Sequence, residues 1–205
     1  MRCIAVALAL TLSFPSAALA DRVHDYRNGR DYGLLLAGAL TGFVSHEGGH
    51  LILDGFLRAH PRIRAVHLGP LPFFAIEPQI VENDQELYAI SMAGFFVQNA
   101  YAETILRTNP HMIDHHRPFL EGMMLFHVAL SLCYAITGFA DAGPAQSDVN
   151  SMARASGIPR WGIGLLVLLP AVFDTIRYAT SSDRKWAQWG GISSRLPLFG
   201  VAFAF

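Results

Sequence analysis

The sequence predicts an all-α membrane protein with about four transmembrane helices, a short strand-like or loop segment after the first, and an N-terminal signal peptide. Three observations predict this class. The 205 residues are 52% hydrophobic and only 15% charged, against about 25% charged in an ordinary soluble domain. Four apolar stretches occupy residues 32–57, 87–106, 119–140 and 161–179, and about 20 residues of helix span a hydrocarbon core of about 30 Å. The net charge of −1 offers no basic surface, so the expected surroundings are a lipid bilayer and no nucleic acid.

The N-terminus reads as a secretory signal. Arg2 supplies a positive n-region, Cys3 to Phe14 an apolar h-region, and Ala18-Leu19-Ala20 an A-x-A cleavage site. The chain then divides into a signal peptide, 1–20, and one membrane-embedded domain, 21–205. An uncleaved signal anchor is the alternative. Entry through such a signal suits a multi-pass protein of a bacterial inner membrane. Cys3 and Cys133 are the only cysteines, which excludes both C-x-x-C zinc spacing and a disulfide framework.

Residues 21–31 are polar and lead into the first apolar stretch, 32–57. Arg58, Pro61, Arg62 and Arg64 end it. Residues 65–81 carry three prolines and many β-formers, which argues against helix and for extended strands or a loop. The acidic turn Glu82 to Glu86 suits the positive end of the next helix. The second stretch, 87–106, contains Gln98, Asn99 and Glu103. A histidine-rich polar loop, 107–118, precedes the third, 119–140, with Glu121 and His127. A Gly/Pro/Ser-containing connection, 141–160, holds a short helical piece near Asp148 to Ala155. The fourth stretch, 161–179, carries Pro170, a kink position, and Asp174 and Arg177 near its end. The tail from Leu196 to Phe205 fits an edge strand or a membrane-contacting end. With Asp21 outside, the first span delivers Arg58, Arg62 and Arg64 to the cytoplasm, as the positive-inside rule prefers. The competing architecture is a soluble bundle of four buried helices.

Chemistry enters at His46-Glu47-Gly48-Gly49-His50, an H-E-x-x-H motif inside the first apolar stretch. Residues four apart share a helix face, so two imidazoles can grip one metal ion, and Glu47 beside them can act as a base towards a metal-bound water. Three ionisable groups within five residues of an apolar helix are costly to bury without such a partner. A catalytic zinc site needs a third protein ligand. Asp54 continues the four-residue step, but on a continuous helix it lies about 12 Å along the axis from His46. Leu53 and Phe56 stand where a metzincin extension needs Gly and His. The third ligand therefore comes from elsewhere. Asp148, shortly after the third stretch, falls on the same side as the end of the first and completes a 2-His-1-carboxylate set that Zn2+ accepts. Its other reading is an N-cap of the helix that follows. Asp141 and Glu103 stand behind it as ligands.

With these residues placed, the chain resembles the site-2-protease family of intramembrane zinc metalloproteases: an H-E-x-x-H on an early membrane helix, a strand-like segment after it, and a downstream Asp. The resemblance implies a zinc-dependent endopeptidase, with Glu47 as general base and acid cleaving a peptide bond within or beside the membrane. It also implies a membrane-protein or peptide substrate held as an added strand near residues 65–81. The family's third ligand stands in an Asn-Pro-Asp-Gly or Leu-Asp-Gly setting, whereas Asp148 has Ser147 and Val149 as neighbours. Ala93-Gly94-Phe95-Phe96-Val97-Gln98-Asn99 is similar to that family's small-residue, Asn-bearing second helix. Gln98 or Asn99 can donate to an oxyanion there, or equally can join two membrane helices. Gly48 and Gly49 each cost a helix about 1 kcal/mol relative to Ala, a cost that close approach of another backbone or of substrate would offset.

Two rival functions are open. His111, His115 and His116 form H-x-x-x-H-H, which beside HEGGH resembles the histidine boxes of membrane di-iron hydroxylases and desaturases. Only His127 follows residue 116, which leaves a further box missing. A solvated loop, or a second metal, also accounts for those histidines. The other rival is a non-catalytic metal-binding membrane protein.

Overall fold

The computed structural model describes residues 28–68, 71–180 and 185–201. The signal-peptide region, 1–20, with Cys3, lies outside the described residues. Helix α1, Gly29–Leu57, starts at Asn28, whose side chain accepts from Asp31 N–H. It ends where Arg58 turns into the left-handed region and returns its N–H to the last carbonyls.

A β-hairpin follows. Strand β1, Arg62–Leu68, pairs antiparallel with β2, Leu71–Glu77, in the register Arg62↔Glu77 to Leu68↔Leu71. The strand-like reading of this segment thus takes the form of two strands. The chain is then tied back to the end of α1, because Gln79 and Ile80 both donate to the Ala59 carbonyl. Helix α2, Asp84–Thr108, is capped by Asn83, which accepts from Glu86 N–H, while Glu86 reaches back to Glu82 N–H. The acidic turn does cap this helix.

A 3-10 turn at Met112–Asp114 leads to α3, Pro118–Phe139, with proline at the helix start where its missing N–H costs nothing. Then come the short α4, Asp148–Ser156, and α5, Arg160–Thr180. The tail departs from expectation. Residues Lys185–Gly200 form a helix, α6, with Pro197 inside it, in place of an edge strand. Its polar anchor is Arg195, which is buried against α2 and α5 and bonded to both.

α1 and α2 run antiparallel, with His46 opposite Gln98 and His50 opposite Ile90. α1 and α3 run parallel in very close contact. Gly38 lies against the Phe119 carbonyl and Gly122 against that of Leu35, so neither position has room for a Cβ. One apolar core gathers Tyr88, Phe95, Val149, Met152, Ile163, Val167 and Leu198; a second gathers Ala102, Leu106, Met112 and Met124.

Two helices among the described residues, α3 and α5, are long and apolar enough to cross a membrane. α1 and α2 have the length, but His46, Glu47 and His50 in one, and Gln98, Asn99 and Glu103 in the other, lower their apolar character. The two-of-four outcome follows from these polar residues, only some of which belong to the site.

Candidate metal centre

Ligand geometry starts with helix periodicity. His46 and His50, one turn apart, both face α2 and are 1% and 5% exposed, with their Nε2 atoms 3.3 Å apart. Asp148, the first residue of α4, points its Oδ2 at both, 3.6 Å from each Nε2. The N-cap of α4 is Ser147, not Asp148. The three ligand atoms lie within 4.8 Å of one another, the spread of a group that could hold a metal ion. Burial alone would push the Asp148 carboxyl up, but the imidazoles of His50 and His46, when protonated, hold it well below the usual carboxylate range.

The other ring nitrogens decide which tautomer each histidine adopts. His50 Nδ1 lies 2.8 Å from the Ile90 carbonyl, which can only accept, so Nδ1 carries the proton and donates it. Gln98 fixes His46 by the same logic. Its amide nitrogen donates to the His127 carbonyl and to Ser131 Oγ, at 3.1 and 2.9 Å. Its oxygen therefore faces His46 Nδ1 at 3.1 Å and accepts from it. With both Nδ1 atoms protonated, each Nε2 faces the other and an anionic oxygen, where it either carries a proton towards Asp148 or, proton-free, offers a lone pair to a metal. Such a trio needs positive charge among its atoms, from ring protons or from a metal ion, and donor-fixed imidazoles are the usual support of a metal site. Space exists for that cation because residue 94 is glycine. A Cβ there would lie 2.5 Å from His50 Nε2 and 2.6 Å from His46 Nε2.

Glu47 is half-buried beside the ligands. Tyr134, which no spacing argument singles out, donates its phenol to Asp148 Oδ2 at 2.6 Å and stacks near His46. Of the two motif glycines, Gly49 has the expected close backbone, with a Cβ position 2.6 Å from the Ala93 carbonyl; Gly48 has nothing within 4 Å.

Gln98 and Asn99 have different places from those the oxyanion reading gives them. Both Gln98 N–H bonds are spent behind His46. Asn99 donates to the Phe95 carbonyl and accepts from Arg195 Nε. The fallback ligands are elsewhere: Asp141 pairs with Arg160 at 2.7 Å, and Glu103 receives Arg107, Arg177 and Arg195. Asp54 is fully buried and its carboxylate has no hydrogen-bond partner among the described residues, but it lies outside the ligand group. His116 pairs with Asp31 in the first turn of α1. That end is about 28 Å along the helix from His50 at 1.5 Å per residue, so the second histidine box does not join the first. Beside the site runs a buried polar cluster in which His127 Nε2 meets Asp174 Oδ2 at 3.1 Å, and Arg177 and Arg195 bridge Asp174 to Glu103.

Comparison of the chain with protein-family models, curated proteins and solved structures finds no match.

Proposed function

We propose that this chain is a zinc-dependent endopeptidase acting within or beside a membrane. The observation that carries the reading is the convergence of His46 Nε2, His50 Nε2 and Asp148 Oδ2 around the space left by Gly94, with Glu47 one residue from the first ligand. Two histidines and one carboxylate suit zinc and leave a position open for catalysis. Zinc bound there would polarise a peptide carbonyl and make water a nucleophile near neutral pH.

Everything else is done by the chain. Gln98 and the Ile90 carbonyl hold the two rings in the ligating tautomer. Glu47 accepts the proton of the attacking water and returns it to the leaving amine, the work of a general base and acid. Phe95 packs edge-on to His46 at 5.2 Å and excludes bulk water from that side. The antiparallel hairpin near the end of α1 offers strand edges to an extended peptide.

In this reading α1, α2, α3 and α5 are four alternating spans. Support comes from the large apolar side chains that α1 leaves exposed along its length, among them Leu36, Leu40, Val44, Ile52 and Phe56, which lipid would cover at no cost. His50 is seven residues from the end of α1, about 10 Å, and in this reading the chemistry would lie near the bilayer surface. The histidines of the 111–116 loop lie at the opposite end of the bundle, which disfavours a di-iron hydroxylase. The test is Glu47→Gln: zinc should stay bound while cleavage of a membrane-embedded peptide is lost. Full activity in that variant would refute the proposal.

A further inference from the structure

We propose that Tyr134 is a catalytic residue of this site, its phenol being the donor that meets the oxyanion when a peptide carbonyl is attacked beside the ligand set. The inference rests on the endopeptidase reading and assigns a part that it leaves open. Attack of water forms a carbon–oxygen bond and moves the carbonyl π pair onto oxygen, while the water proton passes to Glu47. The charge on that oxygen needs a preorganised donor within hydrogen-bond reach. Collapse returns the electron pair to the carbonyl, breaks the carbon–nitrogen bond and sends the proton from Glu47 to the departing amine. Tyr134 keeps its own proton throughout and contributes a hydrogen bond only.

The donor is found by following the site's polar hydrogens. Both N–H bonds of Gln98 end on the His127 carbonyl and Ser131 Oγ. Asn99 is turned to the Phe95 carbonyl and Arg195. The Nδ1–H bonds of His46 and His50 point away from the ligand space, at Gln98 and Ile90. Glu47 and Asp148 are carboxylates and would repel an oxyanion. Among the described residues, Tyr134 is the neutral side chain that donates to a member of the ligand set.

Its position suits the task. The phenol lies 2.6 Å from Asp148 Oδ2, the same oxygen that stands 3.6 Å from both imidazoles. Ring packing holds it there independently of Asp148: its centroid is 5.1 Å from Phe95, edge to face, and 6.4 Å from His46, nearly parallel. Unlike the two histidines, Tyr134 is partly exposed as a residue, while its phenol is enclosed beside Asp148. In the resting site the phenol donates to Asp148. With a metal held by His46, His50 and Asp148, the carboxylate would be a weaker acceptor for the phenol, and the O–H of Tyr134 would be free to turn to a more strongly charged oxygen.

The experiment is Tyr134→Phe in the full chain, zinc-loaded and reconstituted in bilayers. The probes are an internally quenched transmembrane peptide and a peptide phosphinate that mimics the tetrahedral oxyanion. The ring and its contact with Phe95 are retained, so the fold should hold. The expected result is a kcat about 100–1000-fold lower, KM within about threefold, unchanged zinc stoichiometry, and phosphinate affinity lost in proportion to kcat/KM. Wild-type kcat in the variant overturns the proposal. So does a loss that saturating zinc restores, because Tyr134 would then act only by holding Asp148. If wild-type, zinc-loaded protein neither cleaves the peptide nor binds the phosphinate, the endopeptidase reading falls and takes this one with it. If wild type cleaves in a Glu47-dependent way and Tyr134→Phe matches it, this inference alone falls.

Discussion

Gly94→Ala separates metal binding from folding more sharply than removing a ligand would. In a helix interior the change favours the fold, by about 1 kcal/mol on propensity alone. In the site it is obstructive. The added Cβ would stand 2.5 Å from His50 Nε2 and 2.6 Å from His46 Nε2 and Cε1, where real Cβ atoms essentially never come closer than 3.0 Å. Each ring must therefore retreat by about half an ångström, roughly twice the tolerance of about 0.2 Å on a metal–ligand distance. Retreat also strains the Nδ1 bonds to Gln98 and Ile90. The expected loss of zinc affinity is at least the 10–100-fold that follows from disturbing ligand orientation alone, with helix content preserved. Chelator competition on the purified protein measures the first, and circular dichroism the second. Gly48→Ala is the control, because nothing lies within 4 Å of its Cβ position; it should bind zinc as wild type does. Wild-type affinity in Gly94→Ala would refute the placement of the ion.

Gln98→Leu removes the acceptor of the His46 Nδ1 proton and should weaken zinc binding about 10–100-fold; chelator competition showing no change would contradict the tautomer assignment. Acid should release the metal with a dependence of two protons, because both Nε2 lone pairs must be proton-free to ligate. Asp148 should add no third proton, since the imidazoles hold its carboxyl below the usual carboxylate range; a slope of three in log affinity against pH would show otherwise. Arg195→Met should destabilise the bundle by about 1–3 kcal/mol. It leaves the fully buried Asp174 with only Arg177 and His127, and removes one of the three guanidiniums on Glu103. An unchanged melting temperature would count against that cluster's holding α6 in place.

Much of the ligand set was legible in the sequence because each ligand left a separate trace. His46 and His50 show in a four-residue step. Asp148 shows through topology, since a parallel or antiparallel helix order fixes which connections share an end with His50. The hairpin is legible from prolines and β-formers that a helix would not tolerate. Tyr134 and Ser131 leave no such trace: single hydroxyl-bearing residues in an apolar helix have no spacing that distinguishes them from packing. Gln98 was visible as a polar residue in the right helix. Its task depends on which of its atoms meet His127, Ser131 and His46, and only the packed bundle decides that. The tail reads as an edge strand or a membrane-contacting end because Leu196 to Phe205 is apolar and aromatic with a proline. Its helix depends on Arg195, whose partners Asn99, Glu103 and Asp174 are far away in the chain.

The most direct test of the account is the metal content of purified protein, wild type beside Asp148→Ala. The account predicts one zinc per wild-type chain and a large loss in the variant, with its helix content preserved. Two irons per chain, no bound metal in wild type, or full zinc retention in Asp148→Ala would contradict it.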